Sequence, residues 1–232
     1  MNQITIKYDK STKMSDMLDA DYRLLLLLNR LEIPLGFGEM SIEAVCKKYD
    51  YDVDCFTFVA NLQSNKPAFN YLEAFEKIPL ESIIGYLQKS HNYFIYRRLP
   101  NIKKMMESVI AGLEPTVQKI ILRFFDEYSN EVKEHMEYEN EIAFPYIRSL
   151  TGLSGGKQYT ISVFEEHHSD IEGKMSDLSR ILAKYIQGDV DGMDLTRVLI
   201  DIHMLQEELD AHTFIEEKLL IPRVKRTEKF KD

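Results

Sequence analysis

Tryptophan is absent from this 232-residue chain, cysteine occurs twice, and proline and glycine contribute only 7 and 10 residues. Two cysteines cannot build the disulfide framework of a small secreted scaffold, so the composition points to a reducing, cytoplasmic setting. So few helix breakers argue against a many-turned β-protein and for long helices. Long apolar runs are missing too. The longest, Leu24 to Leu28, is five residues, far below the roughly 20 that span a bilayer. The opening stretch MNQITIKYDKSTKM is polar and lacks the apolar segment of a signal peptide. Positive charge is in deficit, with 29 Lys and Arg against 38 Asp and Glu, a net charge of −9 and a pI near 5.3. That balance lacks the concentrated basic face a nucleic-acid binder needs. These absences together describe a soluble protein with neither nucleic acid nor membrane among its partners.

What is present is helical periodicity in two blocks. Residues 1–70 hold both cysteines and short helical patterns at about 16–31, at 41–49 opened by Ser41, and at about 54–64 opened by Asp52 or Asp54. Ser and Asp open helices well because their side-chain oxygens accept the unpaired N–H groups of a first turn. This block predicts a small helical module. Asn65-Lys66-Pro67 reads as the start of a linker, since proline disfavours helix at the residue before it. A second block, 80–226, contains four long periodic stretches, at about 82–113, 115–148, 159–187 and 194–221. Gly112 and Pro115, TGLSGG (151–156) and GDVDG (188–192) separate them, with Asp194 the expected cap of the last. Four such helices joined by short loops predict an all-α, antiparallel up-down four-helix bundle.

Polar residues on the inward faces of these helices carry the chemistry. In the second bundle helix, Ile121, Phe125, Tyr128, Val132, His135, Glu139, Ile142 and Tyr146 follow alternating three- and four-residue steps, the spacing of a buried stripe. The fourth repeats the pattern with Leu195, Val198, Ile202, Leu205, Leu209, His212, Glu216 and Leu219. Phe164, His168, Ile171, Met175, Leu178 and Leu182 form the third. Ile84, Leu87, His91 and either Phe94 or Ile95 form the first, with Leu99 one step off register. Four histidines and two glutamates thus share the core stripe, and every helix supplies at least one.

A lone core histidine is usually a hydrogen-bonded structural residue. Six polar residues in register on four helices are another matter, because each unpaired polar group buried in a core costs about 1–3 kcal/mol and a carboxylate more. A dinuclear metal centre resolves the conflict. His135/Glu139 and His212/Glu216 each place an imidazole and a carboxylate one turn apart on one face. Carboxylates can bridge two cations, which makes Glu139 and Glu216 the natural bridges. Nitrogen and oxygen donors without thiolate suit iron or manganese better than structural zinc. His203 lies nine residues before His212 and so points away from the stripe. His167 adjoins His168 and is also within reach, but the stripe selects His168. Glu172, one turn later, is a candidate seventh ligand.

HMEYENEIAFP (135–145) and HTFIEEKLLIP (212–222) both carry the H-x-x-x-E-x-x-x-x-[FI]-P pattern of hemerythrin-like HHE domains. EEHHSDIEGKMSDL (165–178) and HNYFIYRRLP (91–100) supply the remaining two histidines. The chain most resembles the Repair of Iron Centres di-iron proteins, and LEIPLGFGEMSIEAVCKKYDYDVDCF (31–56) is similar to that family's small N-terminal domain, with Cys46 in a family cysteine position. The resemblance implies a non-haem centre of two iron ions held by His91, His135, Glu139, His168, His212 and Glu216. It implies a role under nitrosative or oxidative stress, mending damaged iron–sulfur proteins or handling nitric oxide. It also implies NO and O2 as ligands and a homodimer formed through the N-terminal module. One departure counts: Pro34-Leu35 stands where the family usually has adjacent cysteines, and it can neither exchange disulfides nor hold iron. That departure keeps alive an alternative, a non-enzymatic O2- or NO-binding or sensing protein, beside a third reading as a metal-free interaction bundle. Cys46 and Cys55 read as small buried hydrophobes. DVDG at 189–192 lacks the ligand series of a calcium loop and reads as a turn. The tail PRVKRTEKFKD (222–232) reads as a solvated end.

Overall fold

The computed structural model of the chain describes residues 8–64, 71–151, 160–167, 172–186 and 190–229, and every regular element among them is helical. The chain divides into two compact units, residues 1–90 with 218–232, and residues 91–217.

In the first unit, α1 (Met14–Ala20), α2 (Leu24–Arg30), α3 (Ile42–Lys48) and α4 (Val53–Ser64) pack around Met14, Met17, Leu24, Leu27, Ile42, Val45, Phe56 and Val59. The single helix expected over 16–31 is two. Asp21 breaks it by taking the backbone N–H of Arg23 on its side chain (3.1 Å) and that of Leu24 on its carbonyl (3.1 Å), a local bond that competes with the helical ladder. Ser41 caps α3 by accepting from the Ala44 N–H at 3.2 Å. Asp52, rather than Asp54, opens α4, accepting from the N–H groups of Asp54 (3.0 Å) and Cys55 (2.9 Å) and from the Ser82 hydroxyl (2.8 Å). α5 (Tyr71–Glu76) lies where no helix was expected, just past the anticipated linker. The basic tail is not a loose end. Its residues form a helix, Ile221–Lys229, whose half-buried Arg223 donates to the carbonyls of Phe75 (3.0 Å) and Ile78 (2.7 Å). Those carbonyls lie at the end of α5 and in the turn after it, where helical donors run out and the Phe75 carbonyl also accepts the N–H of Ile78 at 3.1 Å.

Four helices make the bundle. The first runs through α6 (Leu80–Tyr93), a π segment (Phe94–Arg98) and α7 (Leu99–Ile110). The second is α8 (Pro115–Tyr138), a π segment (Glu139–Ala143) and α9 (Phe144–Thr151). The third is described as α10 (Ile161–His167) and α11 (Glu172–Tyr185), and the fourth as α12 (Gly192–Phe214), a π segment (Ile215–Leu220) and α13 (Ile221–Lys229). Within the second unit, α7 packs on α8, α8 on α11, α11 on α12 and α12 on α7, the closed ring of an up-down bundle. Asp191, not Asp194, caps α12, accepting from the N–H groups of Met193 (2.8 Å) and Asp194 (3.0 Å). Pro115 sits in the first turn of α8, where its missing N–H costs nothing. One turn on, the Gln118 amide donates to the carbonyls of Ala111 (3.1 Å) and Leu113 (2.7 Å) and closes the turn from α7.

The stripes read from sequence form the core as far as the π segments, with Ile121, Phe125, Tyr128, Val132, Val198, Ile202, Leu205, Met175, Leu178 and Leu182 all buried. Beyond them the register slips. A π turn bonds i to i+5 and inserts one residue into the helix. Ile142, expected inward, is therefore 43% exposed, while Ala143 and Ile147 are buried in its place and Tyr146 is only half-buried. The same insertion explains the off-register Leu99 and settles the open choice in the first bundle helix. Phe94 is buried and Ile95 only partly so.

Both cysteines are free and buried in the first unit. Burial, with the nearby Asp52 carboxylate adding to it, pushes the Cys46 thiol up to about 12 and raises Cys55 as well. A raised thiol stays neutral until pH nears its own pKa, so neither is a thiolate at neutral pH. Neither cysteine should therefore react with Ellman's reagent in the native protein between pH 7 and 9, and both should react in denaturant. Reaction of either at the rate of a free thiol would show the module open.

Candidate metal centre

α6 and α12 each bring a histidine to one level of the second unit, and two π segments bring the glutamates. His91, near the end of α6, His212, near the end of α12, and Glu139 and Glu216, each inside a π segment, are all buried. One ligating atom from each can be chosen so that all four lie within 4.8 Å of one another. The His91 and His212 Nε2 atoms face each other at 2.9 Å. His91 Nε2 lies 3.2 Å from Glu139 Oε2 and 3.8 Å from Glu216 Oε1, and His212 Nε2 lies 3.0 Å from Glu216 Oε1. His135, one turn before Glu139 on α8, is at the edge of the group, its side chain 13% exposed and its Nε2 3.3 Å from Glu139 Oε1. The two oxygens of Glu139 thus address two histidines on different helices.

Of the six expected ligands, the structure brings four together and sets His135 beside Glu139 at the edge of the cluster. His168 lies outside the described residues, and so do the side chains of His167 and Glu172. His203 is exposed, with its Nε2 3.1 Å from the Ser179 hydroxyl. Rotation about the helix axis placed it off the stripe, and it is off.

Aromatic rings wall the cluster. Phe144 stacks on His91 (centroids 5.4 Å, planes 18° apart) and Phe94 stands edge-on to His212 at 5.8 Å. His91 Nδ1 is 3.0 Å from Asn140 Oδ1. Burial opposes protonation of His91, yet hydrogen bonding and charge from Glu139 and Glu216 outweigh it and push the imidazole up to about 9. His212 goes the other way: burial dominates and, with the neighbouring His91 adding to it, holds its pKa below the usual range although Glu216 pulls upward.

Two sequence-distant acids escaped the reading from sequence. Arg98, at the end of the first π segment, is buried and pairs through Nε with Glu208 (3.2 Å) and through a terminal nitrogen with Asp201 (2.7 Å). Glu208 is one turn before His212, so a buried ion pair ties together the two helices that present His91 and His212. Glu208 adjoins Leu209 of the stripe but is not part of it, and nothing in the sequence marks Arg98 as its partner.

The donor set fits a cation. Two carboxylates and two facing imidazoles in a dry pocket are the oxygen and nitrogen ligands that a non-haem metal takes up, and without one their mutual burial is costly.

Comparisons with known proteins agree with this geometry. Residues 83–228 match the hemerythrin HHE cation binding domain. The chain is 24% identical over 194 residues to the iron-sulfur cluster repair protein YtfE of Yersinia pestis (strain Pestoides F), covering 82% of this chain and 86% of that protein. It is similar in the same measure to the protein of that name from Yersinia pseudotuberculosis serotype O:1b (strain IP 31758).

Replacing His135 or His212 by alanine should each lower the metal content of purified protein, while His203→Ala should leave it unchanged. Metal analysis of the three variants checks this, and equal loss in all three would show the helix faces misassigned.

Proposed function

The chain belongs to the hemerythrin HHE cation-binding domain family, and from that premise we propose that it is a non-haem di-iron protein of the nitrosative and oxidative stress response. Its work in this reading is the repair of iron–sulfur clusters or the handling of nitric oxide. The observation that carries the proposal is Glu139, buried, with one oxygen toward His91 and the other toward His135. A carboxylate so placed can hold two ions and offset their repulsion, which at about 3.5–4 Å is large in a dry core. His91, His135, Glu139, His168, His212 and Glu216 would be the ligands, with Glu139 and Glu216 bridging. When bound there, two iron ions would offer binding of NO or O2, or iron itself for a damaged cluster. The protein's own part is to orient the imidazoles, to keep water out with Phe94 and Phe144, and to hold the helices in register through Arg98.

The similarity to proteins named for iron–sulfur cluster repair supports the repair reading. One observation favours the alternative of a non-enzymatic O2- or NO-binding or sensing protein. Pro34 and Leu35 replace the adjacent thiols, and both remaining thiols are buried and neutral, so the N-terminal module brings no thiol chemistry to the centre. A stable, reversible oxygenated species without turnover in stopped-flow spectra would favour that alternative.

Metal analysis and Mössbauer spectroscopy of protein from iron-57-grown cells should find two irons per chain, and the loaded protein should restore a damaged [4Fe–4S] enzyme in extracts. Less than one metal per two chains, or no restoration by fully loaded protein, would count against the proposal. Glu139→Gln should keep one ferrous ion and lose affinity for the second in an anaerobic titration, because the amide keeps a lone pair but not the charge. Two equivalents bound with parent-like affinity would remove Glu139 as a bridge.

A further inference from the structure

Asn140 was silent in the sequence. On a regular α-helix it sits about 100° around from Glu139, off the inward stripe. The π segment Glu139–Ala143 changes this, because a wider turn rotates the chain less per residue and lets two consecutive side chains face inward. Glu139 reaches the centre and Asn140 reaches the back of a ring in it. His91 Nδ1 and Asn140 Oδ1 are 3.0 Å apart.

We propose that Asn140 is the positioning residue of His91, its side-chain oxygen accepting the Nδ1–H so that Nε2 is the nitrogen presented to the centre. The inference rests on the metal-binding reading above and adds a residue to it. An imidazole that ligates through Nε2 must carry its proton on Nδ1, and a buried Nδ1–H needs an acceptor. Asn140 Oδ1 supplies one. Phe144 supplies the other constraint by stacking on the same ring, so one short stretch of the second bundle helix fixes both the plane of the His91 ring and its rotation within that plane. His212 has no such grip. Its Nδ1 is buried with no hydrogen-bond partner among the described residues, and its Phe94 neighbour is edge-on. Among the described residues the two facing imidazoles are therefore held unequally, His91 from behind and His212 by its helix and by the groups in front of it.

The test compares Asn140→Leu, which keeps the volume and removes the acceptor, with Asn140→Asp, which keeps an acceptor. In metal-free, histidine-labelled protein, the His91 Nδ1–H should give a solvent-protected proton–nitrogen resonance in the parent and in Asn140→Asp, and lose it in Asn140→Leu. In cobalt(II) titrations the leucine variant should bind about 10–100-fold more weakly, the range for losing a partner behind a ligating histidine, and the aspartate variant should bind like the parent. A protected resonance persisting in the leucine variant overturns the proposal. So does equal weakening in both variants, which would mean that the position only packs. Should the parent take up no cobalt, the metal-binding reading fails, and the resonance alone decides whether Asn140 holds His91.

Discussion

Two carboxylates buried in a helical core are the constraint around which this protein is arranged. Glu139 and Glu216 have essentially no solvent contact, and the imidazoles beside them are flanked by the rings of Phe144 and Phe94. Water cannot compensate their charge there, and among the described residues the groups in reach include the histidines one turn away on the same helices and across the bundle. The carboxylates favour protonation of both histidines, but the balance with burial differs. At His91, close to both carboxylates, their pull outweighs burial, while at His212 burial dominates and holds the pKa below the usual range. A core that carries this much charge needs rigid surroundings, and the apolar layers from Leu205 and Met175 down to Ile121 and Ile110 provide them. The buried ion pair of Arg98 with Glu208 and Asp201 adds a polar tie just beneath the centre. Buried pairs of this kind contribute little net stability, since desolvation nearly cancels their attraction, but they penalise any sliding of one helix past the other.

The second organising feature is the π turn. Three bundle helices carry described residues of the cluster, and each passes through a π segment within the cluster or directly after it. The geometric reason lies in the count of groups each helix must present. A regular helix shows one residue per turn to a given point, whereas the second bundle helix must send Glu139 into the centre, Asn140 behind His91 and Phe144 onto its face. An inserted residue makes that possible and then rotates the rest of the helix, which is why Ile142 turns out to solvent and Ile147 inward. The twin His-x-x-x-Glu pairs were legible because they precede or begin the insertions, where three- and four-residue steps still hold. Leu99, one step off register, was the visible trace of the insertion in the first bundle helix. Asn140 left no trace, since its role exists only in the altered register. The Asp21 break and the Asp191 cap were hidden for a different reason. Several acids near each helix start can cap, and the chain's path decides between them. Glu208 was hidden because its partner is 110 residues away, on a helix whose rotation the sequence does not state.

The first unit puts its polar groups to a different use. Asp52, Ser41, Asp21 and Arg223 each hydrogen-bond backbone groups at helix ends, and Arg30 is buried with its guanidinium 2.6 Å from the Tyr86 hydroxyl. The thiols of Cys46 and Cys55 are the only sulfhydryl groups of the chain, and both sit in that interior with their ionisation suppressed. A neutral buried thiol is a poor nucleophile and a poor ligand, because both roles belong to the thiolate. With Pro34 and Leu35 on the loop before α3, no exposed thiol takes their place. The clustered His and Glu donors found among the described residues thus lie in the second unit and both thiols in the first. Hard carboxylate oxygens with borderline imidazole nitrogens suit ions such as iron or manganese. The donors gathered in the His and Glu cluster are therefore imidazole and carboxylate, while both thiols stay neutral in the first unit.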